Sequence, residues 1–96
     1  MVALSEDSKR KYSIIVAIAT NNEPTLDDIS KVTNLPVSTL KRQIAQIRVD
    51  PGVDIKFVPN KQSNSKGRTG HYHILDWGVL DRTEFMVRHG NILEQI

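Results

Sequence analysis

Six polar or basic side chains that can hydrogen-bond to another molecule fall within nine residues: Ser38, Thr39, Lys41, Arg42, Gln43 and Gln46. Arg and Gln can form paired hydrogen bonds with the edge of a base, and Ser, Thr and Lys can bind phosphate oxygens. Between Lys41 and Arg68 the chain has seven Lys or Arg residues and only two Asp, although its net charge is only +2. This local concentration of positive charge indicates a polyanionic partner.

The residues before this segment predict two helices and a tight turn. A first helix is expected over 8–20, capped by Ser8, with an inner stripe at Tyr12, Ile15, Ile18 and Ala19. Thr25 and Asp28 have the spacing of a capping box, which predicts the start of a second helix. Its inner stripe is expected at Leu26, Ile29 and Val32. Asn34 tolerates the positive φ that a turn between helices often needs, and Leu35 is expected to fill the corner.

A third helix is predicted over 37–48, because Leu40, Ile44 and Ile47 are spaced by four and three residues. If these three residues face inward at about 100° per residue, Ser38, Arg42 and Gln46 point outward. Thr39 and Lys41 then lie at the flanks of the outer face. The polar cluster therefore occupies the exposed side of an otherwise ordinary amphipathic helix.

Two strands and a basic loop are predicted after this helix. Val53, Ile55 and Phe57 alternate with polar residues, and Tyr72 and Ile74 alternate in the same way further along the chain. The segment between them, 59–71, has the polar and glycine-containing composition of a loop. This loop carries three cations: Lys61, Lys66 and Arg68. The pattern predicts a β-hairpin with a long, positively charged tip.

The segment NLPVSTLKRQIAQI resembles the second half of the helix-turn-helix in winged-helix bacterial regulators. Ser38-Thr39-Leu40, Ile44 and Ile47 match that pattern, whereas Asn34 stands where Gly is usual and Pro36 where Ser is usual. Over residues 8–75 the chain resembles the small prokaryotic winged helix-turn-helix proteins. The resemblance implies an α+β fold with a three-helix core, a two-stranded β-hairpin wing and a C-terminal helix. It places the helix-turn-helix at about 25–48, the wing at about 53–75 and the last helix at about 81–96, within one domain, 1–96.

The resemblance also implies sequence-specific binding of double-stranded DNA and a role in transcriptional regulation. The recognition helix, 37–48, would enter the major groove, with Arg42 on guanine and either Gln43 or Gln46 on adenine. Ser38, Thr39 and Lys41 would hold phosphates. The basic wing, 59–71, would follow the backbone or place an arginine in the minor groove. The alternative is a winged-helix module that binds protein and modulates another regulator.

The C-terminal third predicts an amphipathic helix from 82 to 96 that Gly90 kinks or splits. Its apolar members are Phe85, Val87, Ile92, Leu93 and Ile96. The stripe formed by Phe85, Ile92, Leu93 and Ile96 has two interpretations, a homodimer surface or a face that packs back on the first helix. Many helix-turn-helix proteins are two-fold dimers, and the modest core expected of a monomer of this size slightly favours the first. Trp77 is expected to pack against the hairpin or this helix.

Composition excludes several other classes of protein and site. The chain contains no cysteine, which rules out disulfides and thiolate metal sites and fits a reducing compartment. No apolar run approaches the roughly 20 residues that cross a bilayer, and the N-terminus lacks a secretory pattern, so a cytoplasmic protein is expected. No spacing of residues predicts a catalytic site or a cofactor. His71 and His73 have a spacing that can hold a metal, but no obvious residue completes the ligand set, so half-exposed histidines are expected.

Overall fold

The computed structural model describes residues 5–49, 52–59 and 70–95 of the chain. The elements in order are α1 (Glu6–Thr20), α2 (Leu26–Thr33), α3 (Val37–Val49), β1 (Asp54–Pro59), β2 (Gly70–Asp76), α4 (Arg82–His89) and a 3₁₀ helix (Ile92–Gln95). The predicted order of three helices, a hairpin and a C-terminal helix is therefore confirmed.

Side-chain caps explain where the first two helices begin. Thr25 accepts a hydrogen bond from the Asp28 N–H while the Asp28 carboxylate accepts one from the Thr25 N–H, so the predicted capping box is present. The N-cap of α1 is Ser5, whose hydroxyl accepts from the N–H of Ser8. The prediction that Ser8 caps α1 is wrong, because Ser5 satisfies this N–H three residues earlier.

The turn between α2 and α3 depends on a left-handed residue. Asn34 has φ 60° and its N–H donates to the Ser30 carbonyl, as the sequence predicts for a helix end without glycine. The Ser30 hydroxyl donates to the Leu35 carbonyl at 2.6 Å, and Leu35 packs against the core. These contacts fix the angle at which α3 leaves α2.

The core surrounds α1, which contacts α2, α3, β2, α4 and the 3₁₀ helix. All six residues from Ser13 to Ile18 are buried, so this part of α1 has no exposed face. On α3, Leu40, Ile44 and Ile47 are buried as predicted. The predicted stripe of α2 is wrong at Val32, which is 37 % exposed, because the helix turns Ile29 and Thr33 inward instead.

The hairpin pairs β1 with β2 in antiparallel register, with Ile55 opposite Ile74 and Phe57 opposite Tyr72. These four residues share one face of the hairpin, on which Ile55 is buried and the rings of Phe57 and Tyr72 lie 5.1 Å apart. His71 and His73 lie on the other face with Lys56 and Val58. The alternating pattern in the sequence thus identified the inner face of each strand.

The C-terminal segment folds back on the chain's own core. Gly90 splits it as predicted, and a Cβ at this position would lie 2.4 Å from the Met86 carbonyl oxygen. Phe85 and Ile92 are buried and Leu93 packs partly against the core, whereas Val87 is 76 % exposed. Trp77 contacts Phe85 at 5.6 Å between ring centroids, which confirms its packing role.

The dimer surface predicted at Phe85, Ile92 and Leu93 must therefore be corrected. Phe85 and Ile92 are only 5 % and 7 % exposed, so they offer little area to a second copy, because they pack in the core of their own chain. Ile96, the fourth member of the predicted surface, lies outside the described residues. Of the two interpretations of this stripe, the structure favours packing back on the core.

Burial of His89 predicts a pH dependence of stability. Its ring lies 4.7 Å from that of Tyr12 and 5.2 Å from that of Phe85, between centroids. Burial, and secondarily the charge of Arg88, lowers the pKa of His89. As the pH falls through about 6.5, His89 is protonated in the unfolded chain before it is protonated in the folded chain. The free energy of unfolding therefore decreases on acidification, and it stops decreasing once the pH is below the folded-state pKa of His89.

Replacing His89 with phenylalanine should make the free energy of unfolding fall less on acidification. Phenylalanine keeps the aromatic contacts but cannot be protonated. Urea denaturation of both proteins at about pH 7.5 and pH 5 measures the difference. The two proteins differ only at residue 89, so every other pH-dependent contribution is common to both. An equal loss of stability in the two proteins would contradict the assignment to His89.

Candidate nucleic-acid interface

The outer face of α3 is an exposed ridge of mixed chemistry. With Leu40, Ile44 and Ile47 buried, the positions opposite them are Ser38, Arg42, Ala45 and Val49, and all four are exposed. We call these four residues the α3 ridge. Gln46, exposed, and Thr39, half-buried, flank the ridge on the side of α1, and Lys41 and Arg48, both exposed, flank it on the side of the hairpin.

Gln43 does not belong to this surface. The residue is 2 % exposed, and its side-chain amide donates to the Asp7 carboxylate at 2.9 Å. Asp7 also accepts a hydrogen bond from Lys11, and these two donors lower the pKa of Asp7. The suggestion that Gln43 pairs with adenine is therefore corrected: its amide joins the start of α1 to α3. Of the two glutamines on α3, Gln46 is the exposed one.

A cleft separates the α3 ridge from the hairpin. It encloses about 580 Å³ and is lined by Thr25, Leu26, Asp27, Lys41, Arg48, Phe57, Gly70 and Tyr72. The lining includes two cations and one acid, and the hairpin contributes two aromatic rings. The start of α2 borders the same cleft, so α2, α3 and the hairpin all line it.

In the described part of the chain, two hydrogen bonds join the strands of the hairpin to the helix-turn-helix. The Arg48 Nε–H donates to the Ile55 carbonyl at 2.9 Å, which connects the end of α3 with β1. The Tyr72 N–H donates to the Pro24 carbonyl at 2.9 Å, which connects β2 with the turn before α2. Each strand is thus anchored to a different part of the helix-turn-helix. The position of the hairpin relative to the α3 ridge follows from both anchors.

The sequence does not single out Arg48 as a candidate residue. It shows that Arg48 lies in the basic segment between Lys41 and Arg68, but the role of Arg48 depends on a strand carbonyl seven residues away. No local pattern indicates such a contact.

Replacing Arg48 with methionine should lower the free energy of unfolding by about 1 kcal/mol. Methionine keeps an unbranched apolar stem but cannot donate to the Ile55 carbonyl. Arg48→Lys is the matched control for charge, since an ammonium group lacks the planar donors of guanidinium and restores only part of the contact. Urea denaturation measures all three proteins. Equal midpoints for the methionine variant and the unmodified protein would show that the anchor contributes nothing.

The tip of the wing lies outside the described residues. Lys61, Lys66 and Arg68 are in the segment 60–69, so their predicted phosphate contacts remain predictions. The described strands end in the pair Pro59 and Gly70, which sets the point from which the tip departs. A Cβ on Gly70 would lie 2.3 Å from the Val58 carbonyl oxygen and 2.7 Å from the Phe57 ring. Glycine is therefore needed where β2 begins.

His71 and His73 have the half-buried positions predicted for them. Their ring centroids are 6.2 Å apart, and His71 Nε2 lies 3.9 Å from a carboxylate oxygen of Glu23. Among the residues that the structure describes, no group of three His, Cys, Asp or Glu side chains could hold a metal ion. Likewise, no helix in the described part is both long and apolar enough to cross a bilayer.

Comparison with known proteins gives one finding. A family model described as "Winged helix-turn helix" matches residues 5–96, which is nearly the whole chain. Searches of curated proteins and of solved structures returned no match. The match agrees with the observed order of helices and hairpin and with the exposed ridge on α3.

Proposed function

The chain belongs to the winged helix-turn-helix family, and from that premise we propose that it binds double-stranded DNA at specific sequences and regulates transcription. The observation that carries the proposal is the α3 ridge, which is exposed along its whole length and bordered by cations. Winged helix-turn-helix domains typically bind DNA, which supports DNA as the partner.

In the proposed complex α3 lies in the major groove, whose width of about 12 Å admits one helix. Arg42, at the centre of the α3 ridge, donates two hydrogen bonds to a guanine. Gln46 reaches an adenine at the flank. Ser38, Thr39 and Lys41 hold phosphates and fix the register of the helix, without carrying sequence information.

The wing contributes the second contact. Lys61, Lys66 and Arg68 are proposed to follow the phosphate backbone or to enter the adjacent minor groove. The two anchors at Arg48 and Tyr72 support this arrangement, since they hold the root of the wing beside α3. Helix and wing would then contact neighbouring parts of one duplex.

Selection of bound sequences from a random duplex pool tests the proposal directly. A shared motif among the retained duplexes is the expected result, and its symmetry would report whether the protein binds as a two-fold dimer. Affinity should fall with salt at a log–log slope of about −0.9 per phosphate neutralised by a Lys or Arg, so contacts from Lys41, Lys61, Lys66 and Arg68 predict a slope of roughly −3.6. Retention without any shared motif would reduce the function to non-specific binding.

The second candidate function is a module that binds protein and modulates another regulator. It is favoured by three exposed apolar side chains in the segment from β2 to the end of α4, which a protein partner could cover: Leu75, Val79 and Val87. Isolated exposed apolar residues are common, however, so these three side chains alone do not specify a partner. An absence of retention on duplex DNA even at low salt would favour this alternative.

A further inference from the structure

The α3 ridge is only half polar. From its start it presents Ser38 and Arg42, and then the apolar Ala45 and Val49, of which Val49 is 83 % exposed. Ala45 and Val49 line a shallow groove of about 500 Å³ together with Lys11, Arg42 and Gln46. Arg42 and Gln46, which are proposed to contact bases, therefore border an apolar surface on the same helix.

We propose that Ala45 and Val49 contact the 5-methyl groups of thymine, so that α3 selects thymine beside the guanine bound by Arg42. Of the four bases only thymine presents a methyl group in the major groove, and small apolar side chains are its usual partners. The inference rests on the proposed DNA binding and adds part of the sequence that is read. The exposed Arg42 at the border of the apolar surface favours a polyanion over an apolar protein partner, whereas the charge of Lys11 is paired with Asp7.

The spacing along the helix fits neighbouring base pairs. Ala45 lies three positions after Arg42, or about 4.5 Å along the helix, and Val49 lies four positions after Ala45, or about 6 Å. Consecutive base pairs are about 3.4 Å apart along the duplex. Selected sequences should therefore contain a guanine with thymine one or two positions away, and a second thymine beyond it.

Replacing thymine with uracil tests the contact, because the exchange removes only the methyl group and keeps every hydrogen-bonding atom. Each thymine of a selected duplex is replaced in turn, and the dissociation constant is measured by fluorescence anisotropy. One or two replacements should weaken binding about fourfold each, the value expected when one methyl loses its apolar contact. The same replacement should have a smaller effect on Val49→Thr or Ala45→Ser, which introduce a hydroxyl at the contact.

The control variant is Val87→Thr, the same exchange at an exposed position of α4. It should retain the full effect of uracil. If the protein binds a selected sequence but every uracil duplex binds as well as its thymine parent, DNA binding stands and the thymine contact is wrong. If no duplex is retained at low salt, the proposed function and this inference fail together. Concentration-dependent self-association that Val49→Thr abolishes, without any uracil effect, would assign the surface to a second copy.

Discussion

Alanine in place of Arg42 is expected to weaken binding to a selected duplex by about 1–3 kcal/mol and to relax the choice of base at one position. Arg42 is exposed at the centre of the α3 ridge, and its neighbours Leu40 and Ile44 hold the helix against the core. The side chain can therefore be removed without disturbing the interior. Binding titrations against the selected duplex and against duplexes altered at single positions measure both effects.

Two comparisons separate the loss of a base contact from the loss of a charge. Lys41→Ala removes a cation proposed to hold a phosphate, so it should weaken binding to all sequences similarly and reduce the salt slope by about 0.9. Arg88→Ala removes a cation on α4 that pairs with Glu84, and it should leave binding nearly unchanged. If Arg42→Ala, even combined with Lys41→Ala, binds as tightly as the unmodified protein, α3 is not the recognition helix.

Local patterns in the sequence predicted the helix-turn-helix because short-range contacts determine it. The capping box of Thr25 and Asp28, the left-handed Asn34 and the spacing of Leu40, Ile44 and Ile47 each involve residues within a few positions of one another. The hydrogen bonds and backbone preferences that produce these features also act within a few residues, so the sequence alone identifies them. The alternation in both strands is of the same kind.

The errors in the candidate site come from long-range contacts. Gln43 looked exposed beside Arg42, but its amide meets Asp7, which is 36 positions away in the chain. Consecutive residues on a helix are about 100° apart around its axis, so the side chain after an exposed arginine can face the interior. The sequence leaves the partner of the apolar stripe at Phe85 and Ile92 open, because such a stripe can pack equally well against a second copy or against the core of its own chain. Only the fold determines which one.

A large loss of stability is expected when Leu40 is replaced with alanine, about 2–5 kcal/mol in the free energy of unfolding. Leu40 lies on the inner face of α3, has no exposed surface and belongs to the same buried cluster as Ile15, Ile29 and Ile55. Removing its side-chain atoms leaves a cavity that helices anchored by caps and by the hairpin can close only in part. At roughly 4–8 °C per kcal/mol, the melting temperature should fall by at least 8 °C.

The Leu40 and Arg42 variants together test whether the two faces of α3 have separate roles. Arg42→Ala should lose affinity while keeping its melting temperature, whereas Leu40→Ala should lose stability and, well below its melting temperature, keep the base preference of the selected motif. Leu40→Met is the matched control, because a nearly volume-conserving exchange in a core usually costs less than about 1.5 kcal/mol. Thermal and urea denaturation followed by circular dichroism measure stability, and titrations at low temperature measure preference. A Leu40→Ala protein as stable as its parent would mean that α3 is not packed on the core as described, and the assignment of its opposite face to DNA would lose its support.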